Sequence, residues 1–249
     1  MKQLIFILVW LCLTPALNAK EVRIAVAANF AEAAKEIGEA FAERTKHNAL
    51  FSFGSTGQLY TQISQYAPFE VFLAADQERP EKTIRDGLGV AGSRFTYASG
   101  KIVLFSIDKT LVNNENTLKD SDFTKIAIAN PVTAPYGVAA IEIMEQLELY
   151  NHLKSKIVHG NNIAQTYQFV HTQNAELGFI ALSQVIKNQT GSRWIVPEEL
   201  YSRIAQDAVL LKSGADNPAA HAFLKFLKGP EAAGIINKYG YGSGGNEKT

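Results

Sequence analysis

The alternation of short apolar segments with one-faced helical patterns is the feature that most restricts how this chain can fold. Residues 21–28 have the pattern of a buried strand, and an amphipathic helix follows from Phe30 to Phe41, with Asn29 as its expected N-cap. Two further strands are predicted over residues 48–53 and 69–75, each followed by a helical pattern. Three consecutive strand–helix units predict a parallel sheet covered by helices.

A second series of strands and helices begins at residues 126–129 and ends with a strand over residues 177–181. An apolar strand from Lys101 to Ser106 leaves the first series, and another from Ala208 to Lys212 returns to it. We therefore expect an α/β fold of two lobes joined by two crossovers, each lobe a mostly parallel sheet flanked by helices. One continuous doubly wound sheet is the alternative. The expected limits are a signal peptide over residues 1–19, a first lobe over 20–100 and 207–239, a second lobe over 101–206, and a glycine-rich flexible tail over 240–249.

The first nineteen residues have the layout of a secretory signal. Lys2 precedes an apolar run over residues 4–13, and small residues before Ala19 form a cleavage site. The run is about half the roughly 20 residues that a membrane span needs. Cys12, the only cysteine, lies inside this run, so the mature chain has no disulfide. We expect an exported, soluble protein.

The charge balance restricts the partners of the chain. The 24 basic and 24 acidic side chains give no net charge, and no basic run occurs. Nucleic acids and anionic membranes need a basic surface, so we expect neither as a partner.

Four strand-to-helix junctions carry small or polar residues that suit an anion. Ser55 and Thr56 form one junction, and Asn29 with Ala28 forms another. The second series adds Tyr136 and the junction before Ile163. Helix N-termini offer unpaired N–H groups and a positive dipole end, and the side chains add neutral donors. No fixed positive charge lies beside them in sequence. Ordinary helix capping is the simpler explanation for any single junction.

Signatures of enzymes are missing. Ser243 lacks the first glycine of a nucleophile elbow, the segment Gly54–Gly57 is not followed by the lysine of a P-loop, and the five histidines have no metal-binding spacing. An exported enzyme that uses the Ser55–Thr56 loop on phosphoesters is a distant alternative, because no base is evident beside those hydroxyls.

Several motifs make the chain similar to the periplasmic molybdate-binding proteins of ABC transporters. The similarity covers nearly the whole mature chain and rests on Ala25-Val26-Ala27-Ala28-Asn29-Phe30, Phe53-Gly54-Ser55-Thr56-Gly57, Phe69-Glu70-Val71-Phe72-Leu73-Ala74-Ala75-Asp76, Leu177-Gly178-Phe179-Ile180 and Phe226-Leu227-Lys228-Gly229-Pro230. The resemblance implies a type II periplasmic-binding-protein fold, a monomer that closes on molybdate or tungstate, no cofactor, no enzymatic activity, and delivery to an inner-membrane permease. A receptor for sulfate or another tetrahedral oxyanion is the alternative.

The resemblance also implies the residues that hold the ion, through hydrogen bonds and without direct metal ligands. In the first lobe they are Asn29, where many members have serine, and Thr56 with Ser55 beside it; Ala28 is a further candidate. In the second lobe they are Tyr136 and the backbone N–H of Ile163. Some members supply a tyrosine from a later strand, where this chain has Ala181, so the resemblance implies that Tyr136 replaces that donor.

Overall fold

The chain forms two β-sheets, each flanked by helices, in a computed structural model that describes residues 19–120, 122–187 and 190–244. The strands are β1 (Glu21–Ala27), β2 (Asn48–Gly54), β3 (Val71–Leu73), β4 (Phe95–Gly100), β5 (Ile102–Ser106), β6 (Ile126–Ala129), β7 (Ile157–Gly160), β8 (Leu177–Ala181), β9 (Ser192–Ile195), β10 (Ile204–Leu210) and β11 (Gly242–Ser243). The helices are α1 (Ala31–Thr45), α2 (Thr56–Ser64), α3 (Glu78–Arg85), α4 (Thr117–Asp120), α5 (Pro135–Gln146), α6 (Tyr150–Leu153), α7 (Ile163–His171), α8 (Pro218–Leu227) and α9 (Pro230–Lys238).

The predicted signal peptide, except for Ala19, lies outside the described residues. Within the described part of the chain, no helix combines the length and hydrophobicity needed to cross a bilayer.

Both sheets are mixed. The first has the strand order β11-β4-β10-β3-β1-β2, in which β1 pairs in parallel with β2 and β3 while β10 is antiparallel to β3 and β4. The second has the order β7-β6-β8-β5-β9, in which only the pairs around β6 are parallel. The two-lobed α/β fold is confirmed, but the expectation of mostly parallel sheets is wrong. The strands that cross between lobes enter each sheet in the reverse direction.

Two crossovers join the lobes. The chain leaves the first sheet at Gly100 and enters the second at Ile102, and it returns between Ile195 and Ile204. Strand β10 pairs with the first sheet from Ile204, before the predicted boundary at residue 207. Strand β4 was not predicted, because its sequence, Phe-Thr-Tyr-Ala-Ser-Gly, shows no regular alternation of apolar residues. The exact limits of each lobe as a unit stay a prediction.

Aromatic packing fixes the carboxyl end of β1, where the candidate site begins. Phe30, just after β1, is fully buried, and its ring packs edge-to-face on Tyr97 of β4 at 4.8 Å between ring centroids. Burying a phenylalanine side chain contributes roughly 1.5–3 kcal/mol. The backbone just after β1 is therefore held by the packing of Phe30.

The prediction of a flexible tail over residues 240–249 is wrong for its first residues. Tyr241 is only 5 % exposed and its ring packs edge-to-face on Phe30 at 5.2 Å. The next two residues form β11, which pairs with β4. A glycine-rich composition favours disorder only when nothing anchors the segment, and the buried Tyr241 ring provides such an anchor. The remainder of the predicted tail, residues 245–249, lies outside the described residues.

Candidate functional site

A small, closed cavity lies between the lobes, where the helix starts of both lobes meet. Its lining consists of Ala27, Ala28, Asn29, Gly54, Ser55, Thr56, Ala75, Ala134, Pro135, Tyr136 and Ile163. Every residue predicted for the site is on this lining. None of these lining residues carries a charge. The structure therefore brings the predicted residues together at one point.

The hydroxyl of Ser55 is the clearest sign that this cavity receives a polar ligand. Ser55 is the N-cap residue of α2, yet its side chain makes no capping hydrogen bond. Its Oγ is buried and has no hydrogen-bond partner among the described residues. A buried hydroxyl left unpaired costs roughly 1–3 kcal/mol, so native proteins rarely keep one without a use.

Thr56 offers a second hydroxyl at the same junction. Its Oγ1 accepts a hydrogen bond from the backbone N–H of Ala75 at 3.0 Å. That bond uses a lone pair and leaves the hydroxyl hydrogen available to donate. Ser55 and Thr56 thus present two neutral donors beside the N-terminus of α2.

Asn29 does not have the role expected from its position. It lies in a 3₁₀ turn from Ala28 to Phe30, and it does not cap α1. Its side-chain Nδ2 donates instead to Oε1 of Gln206 at 2.9 Å and to the hydroxyl of Tyr241 at 3.2 Å. An amide nitrogen has two hydrogens, and both are used here. A contact from Asn29 to a ligand would therefore come from its backbone N–H.

Tyr136 supplies a phenol hydroxyl to the cavity from the second lobe. It follows Pro135, the first residue of α5, and is 2 % exposed. Its oxygen accepts a hydrogen bond from Nε2 of Gln206 at 3.4 Å. Burial raises the pKa of Tyr136 well above its usual value, so the phenol stays protonated and able to donate. Ala181 is buried in β8 and is not on the cavity lining.

Ile163 completes the second-lobe side. It is the first residue of α7, and the preceding Asn162 caps that helix by accepting from the N–H of Gln165 at 3.0 Å. The N–H of a first helical residue has no partner within its own helix. The predicted backbone donor at Ile163 is therefore on the cavity lining with its N–H outside the helical hydrogen-bond pattern.

Two residues next to the cavity were missed by the sequence analysis. Gln206 is fully buried in β10, and Tyr241 comes from the segment predicted to be flexible. Both contact Asn29, from which they are 177 and 212 residues distant in sequence. No local sequence pattern predicts contacts between residues so far apart in the chain. The predicted strand begins at Ala208, so Gln206 lies outside it, whereas β10 begins at Ile204.

The lobes touch on both sides of the cavity. The N–H of Gly57 donates to the carbonyl of Thr133 at 2.8 Å, and Ser183 Oγ donates to the carbonyl of Asn29 at 2.9 Å. Arg79 donates to the carbonyl of Val132 at 3.2 Å. These contacts describe a closed arrangement in which little water can reach the cavity.

A larger and more open cleft lies beside the cavity and is less suited to an anion. Its lining includes Asp76 and Glu142, whose carboxylates repel negative charge. Arg79 also lines it but is paired with Asp76 at 2.5 Å. Burial is the largest influence on Asp76 and raises the pKa of its carboxyl.

Alkaline pH should destabilise the protein through its buried tyrosines. Burial raises the pKa of Tyr97, Tyr136 and Tyr241 above the unfolded value of about 10. The unfolded state then loses these protons first, so the free energy of unfolding is unaffected below about pH 10 and falls above it. Tyrosinate absorbance from these residues should appear together with the loss of circular dichroism. The urea-unfolded protein, in which all 9 tyrosines are exposed, is the control; full tyrosinate absorbance from still-folded protein would contradict the burial.

Comparison with known proteins agrees with this architecture. The family model described as "Bacterial extracellular solute-binding protein" matches residues 22–242. The chain belongs to this family. It is 55 % identical to the molybdate-binding protein ModA of Rhodobacter capsulatus over 90 % of this chain and 88 % of that protein. It is 53 % identical to ModA of Azotobacter vinelandii over 91 % of this chain and 92 % of that protein.

A solved structure shows the same fold. The periplasmic molybdate-binding protein of Azotobacter vinelandii superimposes with a TM-score of 0.86 at 38 % identity, covering 89 % of this chain and 98 % of that one. In a solute-binding protein of two lobes, the cavity between the lobes is the natural place for the solute.

Proposed function

We propose that this solute-binding protein captures molybdate, and tungstate as well, in the cavity between its lobes and delivers it to the permease of an ABC transporter. The observation that carries the proposal is the unpaired, buried Ser55 hydroxyl in a cavity with a wholly uncharged lining. The 55 % identity to a molybdate-binding protein supports the choice of ion.

Neutral donors can hold a dianion tightly when water is excluded. A hydrogen bond to a charged group contributes roughly 1.5–3 kcal/mol, and each helix end adds roughly 0.3–1 kcal/mol. The Ser55, Thr56 and Tyr136 hydroxyls and the backbone N–H groups of Asn29 and Ile163 are the proposed donors. Donors at fixed positions bind best an ion whose size matches their spacing and whose oxygens carry no hydrogens. They therefore select among oxyanions by size and by protonation state.

Thermal unfolding with a panel of oxyanions tests the choice of ion. Molybdate and tungstate should each raise the melting temperature strongly, since a ligand at a hundred times its Kd adds about 2.7 kcal/mol to stability. Sulfate and phosphate at equal concentration should raise it much less. A sulfate shift as large as the molybdate shift would contradict the proposal and favour a sulfate receptor.

The proposed role is binding and transport without catalysis, in the periplasm, as a monomer and with no cofactor. The cavity lining contains no histidine, lysine or carboxylate that could serve as a base for the Ser55 or Thr56 hydroxyl. In the part of the chain that the structure describes, no cluster of three or more histidine, cysteine or acidic side chains could hold a metal. Turnover of phosphoesters by the purified protein would contradict this part of the proposal.

Tyr136→Phe should weaken molybdate binding tenfold to a hundredfold. The substitution removes one hydroxyl donor, a loss of roughly 1.5–3 kcal/mol for a bond to a charged acceptor. Isothermal titration measures the change. Tyr66→Phe is the matched control, because Tyr66 is 83 % exposed and distant from the cavity lining. Unchanged binding by the Tyr136 variant would remove this hydroxyl from the proposed site.

A further inference from the structure

Gln206 lies on β10, one of the strands next to the crossovers, and connects the two lobes beneath the cavity. It is fully buried. Its Oε1 accepts from Nδ2 of Asn29 at 2.9 Å and from the hydroxyl of Tyr97 at 3.1 Å. Its Nε2 donates to the hydroxyl oxygen of Tyr136 at 3.4 Å. One amide therefore contacts a predicted site residue from each lobe.

The bond from Gln206 determines what the Tyr136 hydroxyl can do. A phenol has one hydrogen, and its oxygen here is the acceptor of the Gln206 N–H. No acceptor for the phenol hydrogen is found among the described residues, while Tyr136 lines the cavity. With the amide hydrogen directed at its lone pair, the phenol keeps its own hydrogen for a ligand.

At the first crossover, the backbone leaves space for the Gln206 amide and the Tyr136 hydroxyl. Gly100 ends β4 immediately before the first crossover. A methyl group in place of its hydrogen would lie 2.2 Å from the Tyr136 hydroxyl oxygen and 2.6 Å from Nε2 of Gln206. Both distances are far inside van der Waals contact. The space required by the amide–phenol pair therefore depends on a glycine at this position.

We propose that Gln206 is a positioning residue of the oxyanion site: its amide, in the space left by Gly100, orients the Tyr136 hydroxyl so that the phenol donates to the bound ion. This inference rests on the proposed function, because it needs an oxyanion in the cavity. It adds a residue that does not itself touch the ion. Its contribution to binding passes through Tyr136.

A double-mutant cycle tests that dependence. Gln206→Met keeps the length of the side chain and removes the N–H donor to Tyr136 together with the Oε1 acceptor of Asn29 and Tyr97. It should weaken molybdate binding about tenfold, and it should change binding by less than about threefold when Tyr136 is already phenylalanine. Gln168→Met, at an exposed position of α7, is the matched control and should leave affinity unchanged. Equal losses in the two backgrounds would overturn the inference, since a merely structural role would not depend on the phenol.

A second variant keeps the inference testable if Gln206→Met does not fold. Gly100→Ala places a methyl group against the Gln206 amide and the Tyr136 hydroxyl. It should weaken binding about tenfold in the wild-type background and less in the Tyr136→Phe background, where the oxygen 2.2 Å from the added methyl is gone, although Nε2 of Gln206 at 2.6 Å and the ring Cζ at 3.0 Å remain. Gly234→Ala, with nothing within 4 Å of the added methyl, is its control. Wild-type affinity in Gly100→Ala would overturn the inference.

The titrations also separate this inference from the proposed function. The wild-type protein is first titrated with molybdate, tungstate and sulfate, and the variants are then compared with the ion that it binds most tightly. Preference for sulfate would reject the proposed function, and the double-mutant cycle could then still be measured with sulfate. Preference for molybdate with no coupling between residues 206 and 136 would reject only the positioning role.

Discussion

Ser55→Asp is expected to lower the affinity for molybdate at least a thousandfold while the protein stays folded. A carboxylate would replace a neutral donor in a buried cavity that carries no charge. Two unit charges about 4 Å apart repel by about 4 kcal/mol at an effective dielectric constant of about 20, and the ion carries two. Protonation of the aspartate relieves part of this repulsion but at a cost that also weakens binding.

The position favours a folded variant. Ser55 is the N-cap of α2, where aspartate is among the preferred residues and where the helix dipole stabilises negative charge. Isothermal titration gives the affinity, and the melting temperature without ligand reports on folding. Ser64→Asp, at the exposed far end of the same helix, is the control and should bind normally. Molybdate affinity within tenfold of wild type would show that Ser55 is not beside the ion.

Gly57→Val is expected to reduce molybdate affinity at least a hundredfold by preventing the lobes from closing. A Cβ at Gly57 would lie 3.0 Å from Cα and 3.2 Å from the carbonyl oxygen of Thr133, on the opposite lobe. The hydrogen bond from Gly57 N–H to that carbonyl, 2.8 Å long, leaves no space for a branched side chain. Since the obstacle is backbone, only separation of the lobes relieves the overlap.

Small-angle scattering distinguishes this effect from simple loss of a contact. The wild-type protein should become more compact when molybdate is added, whereas Gly57→Val should keep the same radius of gyration with and without the ion. Gly234→Val, where nothing lies within 4 Å of the new Cβ, should behave as wild type. A variant that still contracts and binds tightly would show that this contact does not control closure.

Local patterns in the sequence were sufficient for the helix starts that surround the cavity. The junctions at Ser55, Tyr136 and Ile163 each follow a strand with a clear apolar pattern, and each lies where it was predicted. The carboxyl ends of the parallel strands β6 and β7 meet at one edge of the second sheet, which brings the Tyr136 and Ile163 junctions together. The Ser55 junction, at the carboxyl end of β2 in the first sheet, lines the same cavity. Which of them touches the ion stays a prediction.

The errors concern features that depend on distant parts of the chain. Asn29 follows a strand and precedes a helix, so capping was its expected role; its side chain instead bonds to Gln206 and Tyr241. The sheets are mixed because β10 enters the first sheet between β3 and β4, a position that no local pattern specifies. The glycines around Tyr241 predict a flexible tail, whereas its buried ring anchors the segment on Phe30.

The contact between Asn29 and Tyr241 also makes the site depend on the last described part of the chain. The hydroxyl of Tyr241 donates to the carbonyl of Asn29 at 2.6 Å, across 212 residues of sequence. A chain trimmed before residue 241 has all the proposed donors but lacks the partner that holds the first of them in place. Proteolytic loss of this short C-terminal segment is therefore expected to weaken ion binding although every proposed donor is still present.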